Sequence, residues 1–333
     1  MNNSADAIRL KQLTRLLMTE LESSGSRARV VPVGRLENLR TDIEKLRKAG
    51  EFDDHFDREW LTSFEFDVLT QDPDARSIIV VAVPHPHLIV TFHKDGQRLP
   101  VVIPPTYSAK VDQRIEAILQ GVLSPAGYRL FRRSLPVKSL AVHSGLAKYG
   151  KNNITYVDGM GSYHRLMAFY TDCPCLEADW QEMKFLEECE SCQACRNNCP
   201  TGAIADDRFL LRAERCLTFH NEHDDDFPDW IDKSWHHCLI GCLYCQSYCP
   251  VNRKVPISVE NGPSFDSEET TLVLSGVTEK DLPQALRDKL REFIFFDDLP
   301  RVARNVRMLI EIPENRERGL ALLPGEGVCD AIE

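Results

Sequence analysis

The sequence predicts an α+β protein in three parts: a mixed α/β N-terminal domain over residues 1–172, a cysteine-dense domain over 173–255, and a connector with a short helical C-terminus over 256–333. Three observations carry this. Helix-period and strand-period segments are interspersed through the first 122 residues, eleven of the twelve cysteines fall between Cys173 and Cys249, and helical periodicity returns after the cysteine block.

Apolar residues at Ile8, Leu10, Leu13, Leu16, Leu17 and Leu21 predict a helix over Ala7 to Leu21, with Gly25 as its stop. Arg29 to Val33 reads as a short strand and Leu36 to Lys48 as an amphipathic helix ending near Gly50. Ser77 to Val83 is an unbroken β-branched run bounded by Pro84, which suits a buried strand. Leu88 to Phe92 and Leu99 to Ile103 are further strands, joined as a hairpin by Lys94-Asp95-Gly96. Residues 107 to 122 return to helical spacing. After Pro250, the polar stretch VNRKVPISVENGPSFDSEE reads as a connector, followed by helices around Leu282 to Phe295 and Leu299 to Ile310.

The chain has 333 residues, 43% of them hydrophobic and 27% charged, enough to bury a sizeable core and far from a disordered composition. Nothing approaches the roughly 20 uncharged apolar residues of a membrane helix. The start, MNNSADAIRLKQL, lacks a signal-peptide pattern, so a cytoplasmic location without membrane contact is expected. A net charge of −11 argues against a surface that is wholly a nucleic-acid platform. Between Glu116 and Asp158, however, no acid occurs while Arg129, Arg132, Arg133, Lys138, Lys148 and Lys151 do: either a solvated face or an anion-binding wall. Conversely, Thr201 to Asp232 holds nine carboxylates against three arginines, which suits docking to a basic partner or simply solubility.

The segment CESCQACRNNCP places Cys189, Cys192, Cys195 and Cys199 in the C-x2-C-x2-C-x3-C-P run of two-cluster ferredoxins, where three thiolates wrap one 4Fe-4S cube and the fourth ligates the other. GCLYCQSYCP supplies Cys242, Cys245 and Cys249, one cysteine short of a second run, and Cys216 completes it. The crossed pattern assigns one cluster to Cys189, Cys192, Cys195 and Cys249, and the other to Cys199, Cys216, Cys242 and Cys245. The middle domain is therefore ferredoxin-like. Zinc is the rival, since C-x2-C pairs also build zinc sites, yet zinc does not call for the x2–x3–Pro pattern twice.

Cys238 either substitutes for Cys216 or Cys242 or is buried as a small apolar group. Cys173 and Cys175 read as a metal-binding or redox pair on a weak C-x-C signal, and Cys329 as inert. His236 and His237 either tune a cluster through hydrogen bonds to sulfur or form a surface pair at a helix end. His85 and His87, in a PHPH stretch, sit at a strand end where ligands gather in α/β sheets or merely in a turn. Asp224 to Asp226 reads as a solvated loop.

These residues carry a family resemblance. CESCQACRNNCPTGAI, RAERCLTF and GCLYCQSYCPVNR, with HSGLAKYGKNNITYV upstream, resemble the double-cluster domain of epoxyqueuosine reductases and, more distantly, of corrinoid reductive dehalogenases. The resemblance spans about Pro136 to Lys254, with weaker agreement at ARSIIVVAV. It implies a cobalamin held in the N-terminal domain near a glycine loop, here Gly145, Leu146, Ala147 and Gly150, and reduced through the clusters.

The chain departs from the family at three places. Arg133 and Ser134 stand where the resemblance leads one to expect a catalytic acid, Ala147 and Lys148 replace a glycine and a tryptophan, and the C-terminal helical repeats shrink to one around LPRVARNVRMLI. Tyr107, Tyr128 and His143 then become the candidate proton donors. The resemblance supports, in order, a cobalamin-using reductase of an unidentified small molecule, an electron carrier or activator of a corrinoid protein, and reduction of epoxyqueuosine in tRNA. A ferredoxin or flavodoxin would supply the electrons.

Overall fold

The computed structural model describes residues 3–59, 61–176, 179–293 and 298–323. Cys329 and the end of the helix expected over Leu282 to Phe295 lie outside them. The chain divides into two compact units, one of residues 1–84, 111–191 and 208–210, the other of 85–110, 192–207 and 211–333. This division cuts across the three consecutive parts read from the sequence, because the hairpin near residue 90 joins the cysteine block instead of the strand that precedes it.

The first unit is built on a four-stranded sheet in the order Arg27–Pro32, Ser77–Pro84, His164–Thr171, Leu130–Phe131. Every pairing is antiparallel. Helices cover both faces, which explains why Ser77–Pro84 is apolar throughout: Ile79, Val81 and Val83 face Leu17 and Leu21 of helix Asn3–Ser23 and Ile115 and Leu119 of helix Ala109–Leu123. Ile78, Val80 and Ala82 face the opposite way, onto Leu36 and Leu39 of helix Leu36–Lys48 and Leu140 to Val142 of helix Val137–His143. The apolar run thus marks a strand covered on two sides; its antiparallel pairing is not encoded in that run. Along the first helix, Ile8 and Leu16 are exposed, so the buried stripe is narrower than the apolar spacing suggests.

In the second unit, His87–Lys94 pairs with Gln97–Ile103 through a two-residue turn in which Asp95 and Gly96 both take positive φ, 51° and 74°. Asp-Gly suits that left-handed turn. Pro100 is tolerated because its strand is the sheet edge.

The third strand corrects the sequence reading: Val259–Phe265, inside the expected connector, pairs in parallel with His87–Lys94. It escapes a propensity reading because Gly262 and Pro263 interrupt it. The register slips by one residue there, between Ile89 and Thr91, and a Cβ on Gly262 would lie 3.1 Å from Val90. Helix Ser267–Ser275 follows at once, its start fixed by a capping box in which Asp266 accepts from the Glu269 amide and Glu269 from the Asp266 amide.

One face of this sheet meets Val273, Leu286, Leu290, Val302, Val306 and Leu309 from the C-terminal helices Ser267–Ser275, Gln284–Leu290 and Leu299–Ile310. The other face, through Ile89 and Val102, receives Cys238, Leu243 and Leu323. The Leu239 amide donates to the Val102 carbonyl at 2.8 Å, tying the second cysteine segment to the hairpin.

His164 is buried in the first unit with Nδ1 donating to the Gly161 carbonyl at 3.1 Å and Nε2 accepting from Thr155 Oγ1 at 3.1 Å. Burial lowers it to about 4, so the native state refuses a proton that the unfolded chain takes below about 6.5. The stability it contributes is whole above pH 6.5 and is lost as pH falls toward 4, by about 1.4 kcal/mol per pH unit. Denaturant melts between pH 7.5 and 5.5 are expected to show this loss, and His164→Gln to flatten the slope.

Candidate iron-sulfur centre

The two cysteine segments fold alike. Each places a short helix, Ala194–Asn197 or Tyr244–Ser247, around its third cysteine, Cys195 or Cys245. In each the fourth cysteine donates its amide three residues back, Cys199 to Arg196 and Cys249 to Gln246, both at 3.2 Å. Each fourth cysteine then accepts three residues on, from Gly202 at 3.2 Å and Asn252 at 3.1 Å. The two short helices pack together, and Pro200 and Pro250 prevent either from continuing.

The thiols of one predicted set form a connected group within the second unit. Cys216 lies near enough to Cys199, and Cys242 to Cys245 and Cys216, for each neighbour's charge to raise its thiol. Burial is the main influence, pushing Cys216 up and Cys242 well above the ordinary range. Amides oppose it: those of Thr218 and Phe219, in the first turn of helix Leu217–Glu222, favour the Cys216 thiolate, and that of Tyr244 favours the Cys242 thiolate. Thr201 Oγ1 lies 3.4 Å from Cys199 Sγ. Thiols facing one another among N–H donors suit a 4Fe-4S cube, which needs thiolate ligands and draws hydrogen bonds to its sulfurs. Of the other set, Cys192, Cys195 and Cys249 belong to the second unit; Cys189, three residues ahead of Cys192, closes a segment of the first.

Cys238 is buried among Ile89, Val102 and Leu243, as expected of a small apolar group, though it is also close enough to influence Cys242. Burial pushes the Cys173 thiol up to about 11, and Cys175 Sγ points to the Val30 carbonyl at 3.5 Å.

The histidines act on the backbone. His236 and His237 are each 2% exposed, so the surface-pair expectation fails. His237 Nε2 accepts from the Leu243 amide at 2.9 Å, which places the proton on Nδ1, facing the Trp235 carbonyl at 3.0 Å. It thereby pins the turn between Cys242 and Cys245, a link that spacing alone could not reveal. His85 Nε2 accepts from the Ser108 amide at 3.2 Å, and His87 is buried and lowered to about 4.

Two of the proton-donor candidates, Tyr128 and His143, lie on opposite faces of the first unit's sheet. Tyr128 packs beneath the helices on one face of the first unit's sheet, beside a cavity of about 520 Å³. His143 lies on the other face, buried, stacked on Trp180 with ring centroids 5.0 Å apart, its Nδ1 2.7 Å from the Gln181 carbonyl and Nε2 3.3 Å from Asp42. Tyr107, in the second unit, donates its hydroxyl to Glu222, and burial raises it well above its ordinary value.

The residues expected to cradle a cobalamin are taken up by their own unit. Gly145, at φ 72°, closes helix Val137–His143, and a Cβ there would lie 2.7 Å from the Gln181 amide. One on Gly150 would lie 2.5 Å from the Tyr156 ring, and Leu146 and Ala147 are buried. The Trp180 to Leu186 stretch closes over this loop, Gln181 donating to the His143 carbonyl at 2.7 Å and Leu186 to the Tyr149 carbonyl at 2.9 Å. As arranged, these four positions do not fit a corrin cradle.

The acid-free basic stretch is not acid-free in space. Arg129 pairs with Asp74 and Asp172, Arg132 with Asp112, Arg133 with Asp72 and Glu65, and Lys148 with Glu187. Asp112 is held below its ordinary value: burial pushes it up, but Arg165 and Arg132 together prevail. The acidic stretch is likewise compensated in part, Asp206 by Arg196 and Asp224 by Arg301.

Comparison with known proteins bears on these observations. Residues 188–252 match the model of the 4Fe-4S double cluster binding domain. Epoxyqueuosine reductase of Xanthomonas campestris pv. campestris is 35% identical over 144 residues, 42% of this chain and 39% of that protein. The Shewanella oneidensis enzyme is 32% identical over 139 residues, 41% and 34% of the two chains. The matched stretch thus covers well under half of these relatives.

Among solved structures, an epoxyqueuosine reductase superposes with a TM-score of 0.65 at 18% identity, over 97% of this chain and 98% of that one. Another, solved with an epoxyqueuosine-modified tRNA stem loop, gives 0.64 at 18% identity, over 94% and 84%. The fold is shared across nearly the whole chain, and the match of residues 188–252 to a 4Fe-4S double-cluster domain supports iron-sulfur over zinc.

Removing the imidazole in His237→Ala leaves the buried Leu243 amide without its acceptor, at a cost of about 1–3 kcal/mol. The variant is expected to hold less iron than the wild type when reconstituted in parallel. Gly150→Ala, by contrast, is expected to lower the thermal midpoint with no cofactor added, because its methyl group meets the Tyr156 ring.

Proposed function

We propose that this protein is an iron-sulfur reductase of the epoxyqueuosine reductase type, acting on an epoxide-bearing nucleoside in tRNA. Cys189, Cys192, Cys195 and Cys249 would hold one 4Fe-4S cluster, and Cys199, Cys216, Cys242 and Cys245 the other. The observation that carries the reading is the connected, amide-lined thiol group Cys199–Cys216–Cys242–Cys245 within a double-cluster domain, in a chain that shares its fold with epoxyqueuosine reductases. The tRNA substrate comes from the relatives' names and from the stem-loop complex, and replaces the unidentified small molecule as the preferred reading.

Converting an epoxide to an alkene takes a pair of electrons and a pair of protons and releases the oxygen as water. Two clusters, each cycling by one electron, match that demand when recharged by a ferredoxin- or flavodoxin-like donor. Because the loop residues do not fit a corrin cradle, no step is routed through cobalamin.

An acid does reach the segment from which one is missing in sequence. Glu65 lies beside Ser134, its carboxylate 3.4 Å from the Ser134 amide and its own amide donating to the Ser134 carbonyl at 2.9 Å. Asp72 meets Arg133 at 2.6 Å. Glu65 is 38% exposed at its side chain, which leaves it accessible to a substrate. Its exposure separates it from Tyr107 and His143, which are buried; like them it has protein partners, Arg133 at 3.6 Å and the Ser134 amide. Since Arg129, Arg132 and Arg133 are already paired with carboxylates, they contribute little net charge toward RNA phosphates.

The test is anaerobic turnover of an epoxyqueuosine-bearing tRNA stem loop with a chemical reductant. Cys245→Ser is expected to drop the iron content from about eight toward about four and to abolish product. Glu65→Gln is expected to keep the iron and lose roughly a hundred- to ten-thousand-fold in turnover. Wild type with full iron and no product would refute the substrate assignment.

A further inference from the structure

Tyr107, buried, and Glu222, half-buried, form a polar pair in the second unit that the proposed chemistry does not use. Tyr107 is 5% exposed and donates its hydroxyl to the Glu222 carboxylate. The chain bends sharply to place it: Thr106, a β-branched residue, sits at φ 94°, a strained conformation that the fold must hold. On the far side Gly241 takes φ 69° and lets the ring approach; a Cβ there would lie 2.6 Å from the Tyr107 hydroxyl.

Both partners are tied to ligand segments. Gly241 immediately precedes Cys242, and Glu222 ends the helix Leu217–Glu222 that Cys216 caps. Asn221 Nδ2 donates to the Gly241 carbonyl at 2.7 Å, and Asn305 Nδ2 donates to the carbonyls of Asn221 and Leu239 at 2.8 and 3.0 Å. Arg301 holds the Glu222 carbonyl at 2.9 Å while its charge is paired with Asp224 at 2.7 Å. The thiols of Cys238 and Cys216 are near enough to add to the effect of burial and Glu222 on Tyr107. A carboxylate is thus fixed in the frame that joins Cys216 to Cys242.

We propose that the Tyr107–Glu222 pair sets the reduction potential of the cluster held by Cys199, Cys216, Cys242 and Cys245, apart from that of its neighbour. Reduction adds a negative charge to the cube. A fixed carboxylate opposes that charge, so Glu222, half-buried and held by Tyr107, lowers the potential. The Tyr107 hydroxyl delocalises part of the carboxylate's charge through its hydrogen bond and limits the lowering. Tyr107 is thus a positioning residue, and its burial is the reason it serves this role instead of proton donation.

The inference rests on the two-cluster reading, and the experiment separates the two. The full chain is purified without oxygen, its iron and sulfide are counted, and each cluster's midpoint is read by redox titration with electron paramagnetic resonance. The Cys245→Ser variant identifies which signal belongs to the second cluster.

With both clusters loaded, Glu222→Gln, which keeps shape and hydrogen bonding, should raise that cluster's midpoint and leave the other unmoved. Tyr107→Phe should lower the same midpoint, and Glu222→Asp, which retains the charge, should stay nearer the wild type than Gln does. Loaded variants whose midpoints do not move, or in which both clusters move together, overturn the assignment, as does loss of the second cluster's iron from both Glu222 variants. Wild-type protein that holds no iron would instead sink the two-cluster reading beneath it.

Discussion

Half-buried thiols that must become thiolates need a rigid surround of N–H donors, and the second unit is organised by that requirement. The donors are backbone amides of short turns, too irregular to hold themselves in place. Their support is the hairpin His87–Lys94 and Gln97–Ile103, whose Val102 carbonyl binds the Leu239 amide and whose Ile89 and Val102 side chains pack on Cys238 and Leu243. His237 then holds the Leu243 amide from within. Behind the sheet, the three C-terminal helices supply the apolar mass that a ferredoxin-sized motif cannot supply for itself.

The first unit solves a different problem, how to cover both faces of an antiparallel sheet with charged segments close by. Asp112 receives Arg165 and Arg132, each through 2.7–2.9 Å contacts, and its carboxylate is stabilised despite being largely buried. The same logic recurs at Arg129 and Arg133. A stretch that looks strongly basic along the chain is therefore compensated in space, and its positive field is weak. The glycine loop follows the same inward logic, its open Cα faces filled by Gln181 and Tyr156.

The near-repeat of the two cysteine segments gives the centre its economy of design. Matching turns at Cys199 and Cys249, each followed by proline, accompany the packing of the two short helices on one another. Cys216, proposed to replace the cysteine missing from the second run, arrives from a separate helix start. Glu222 stands at the other end of that short helix, so a proposed ligand and a half-buried carboxylate share one element.

By itself the sequence determined the features that depend on local spacing. The cysteine runs announced a double-cluster domain, strict 3.6-residue periodicity placed Leu36–Lys48 and Leu299–Ile310 to the residue, and Asp95-Gly96 specified a hairpin turn. What it could not determine arises where partners are far apart in the chain. Val259–Phe265 becomes a strand only because His87–Lys94 offers it an edge, overriding glycine and proline. Residues 85–110 join the cysteine block because their side chains and carbonyls match it. The charges near Arg133 and the placement of Glu65 and Glu222 each depend on a neighbour tens of residues away. Hydrogen bonding, desolvation and ion pairing are set by distance in space, and only the tertiary structure supplies that distance.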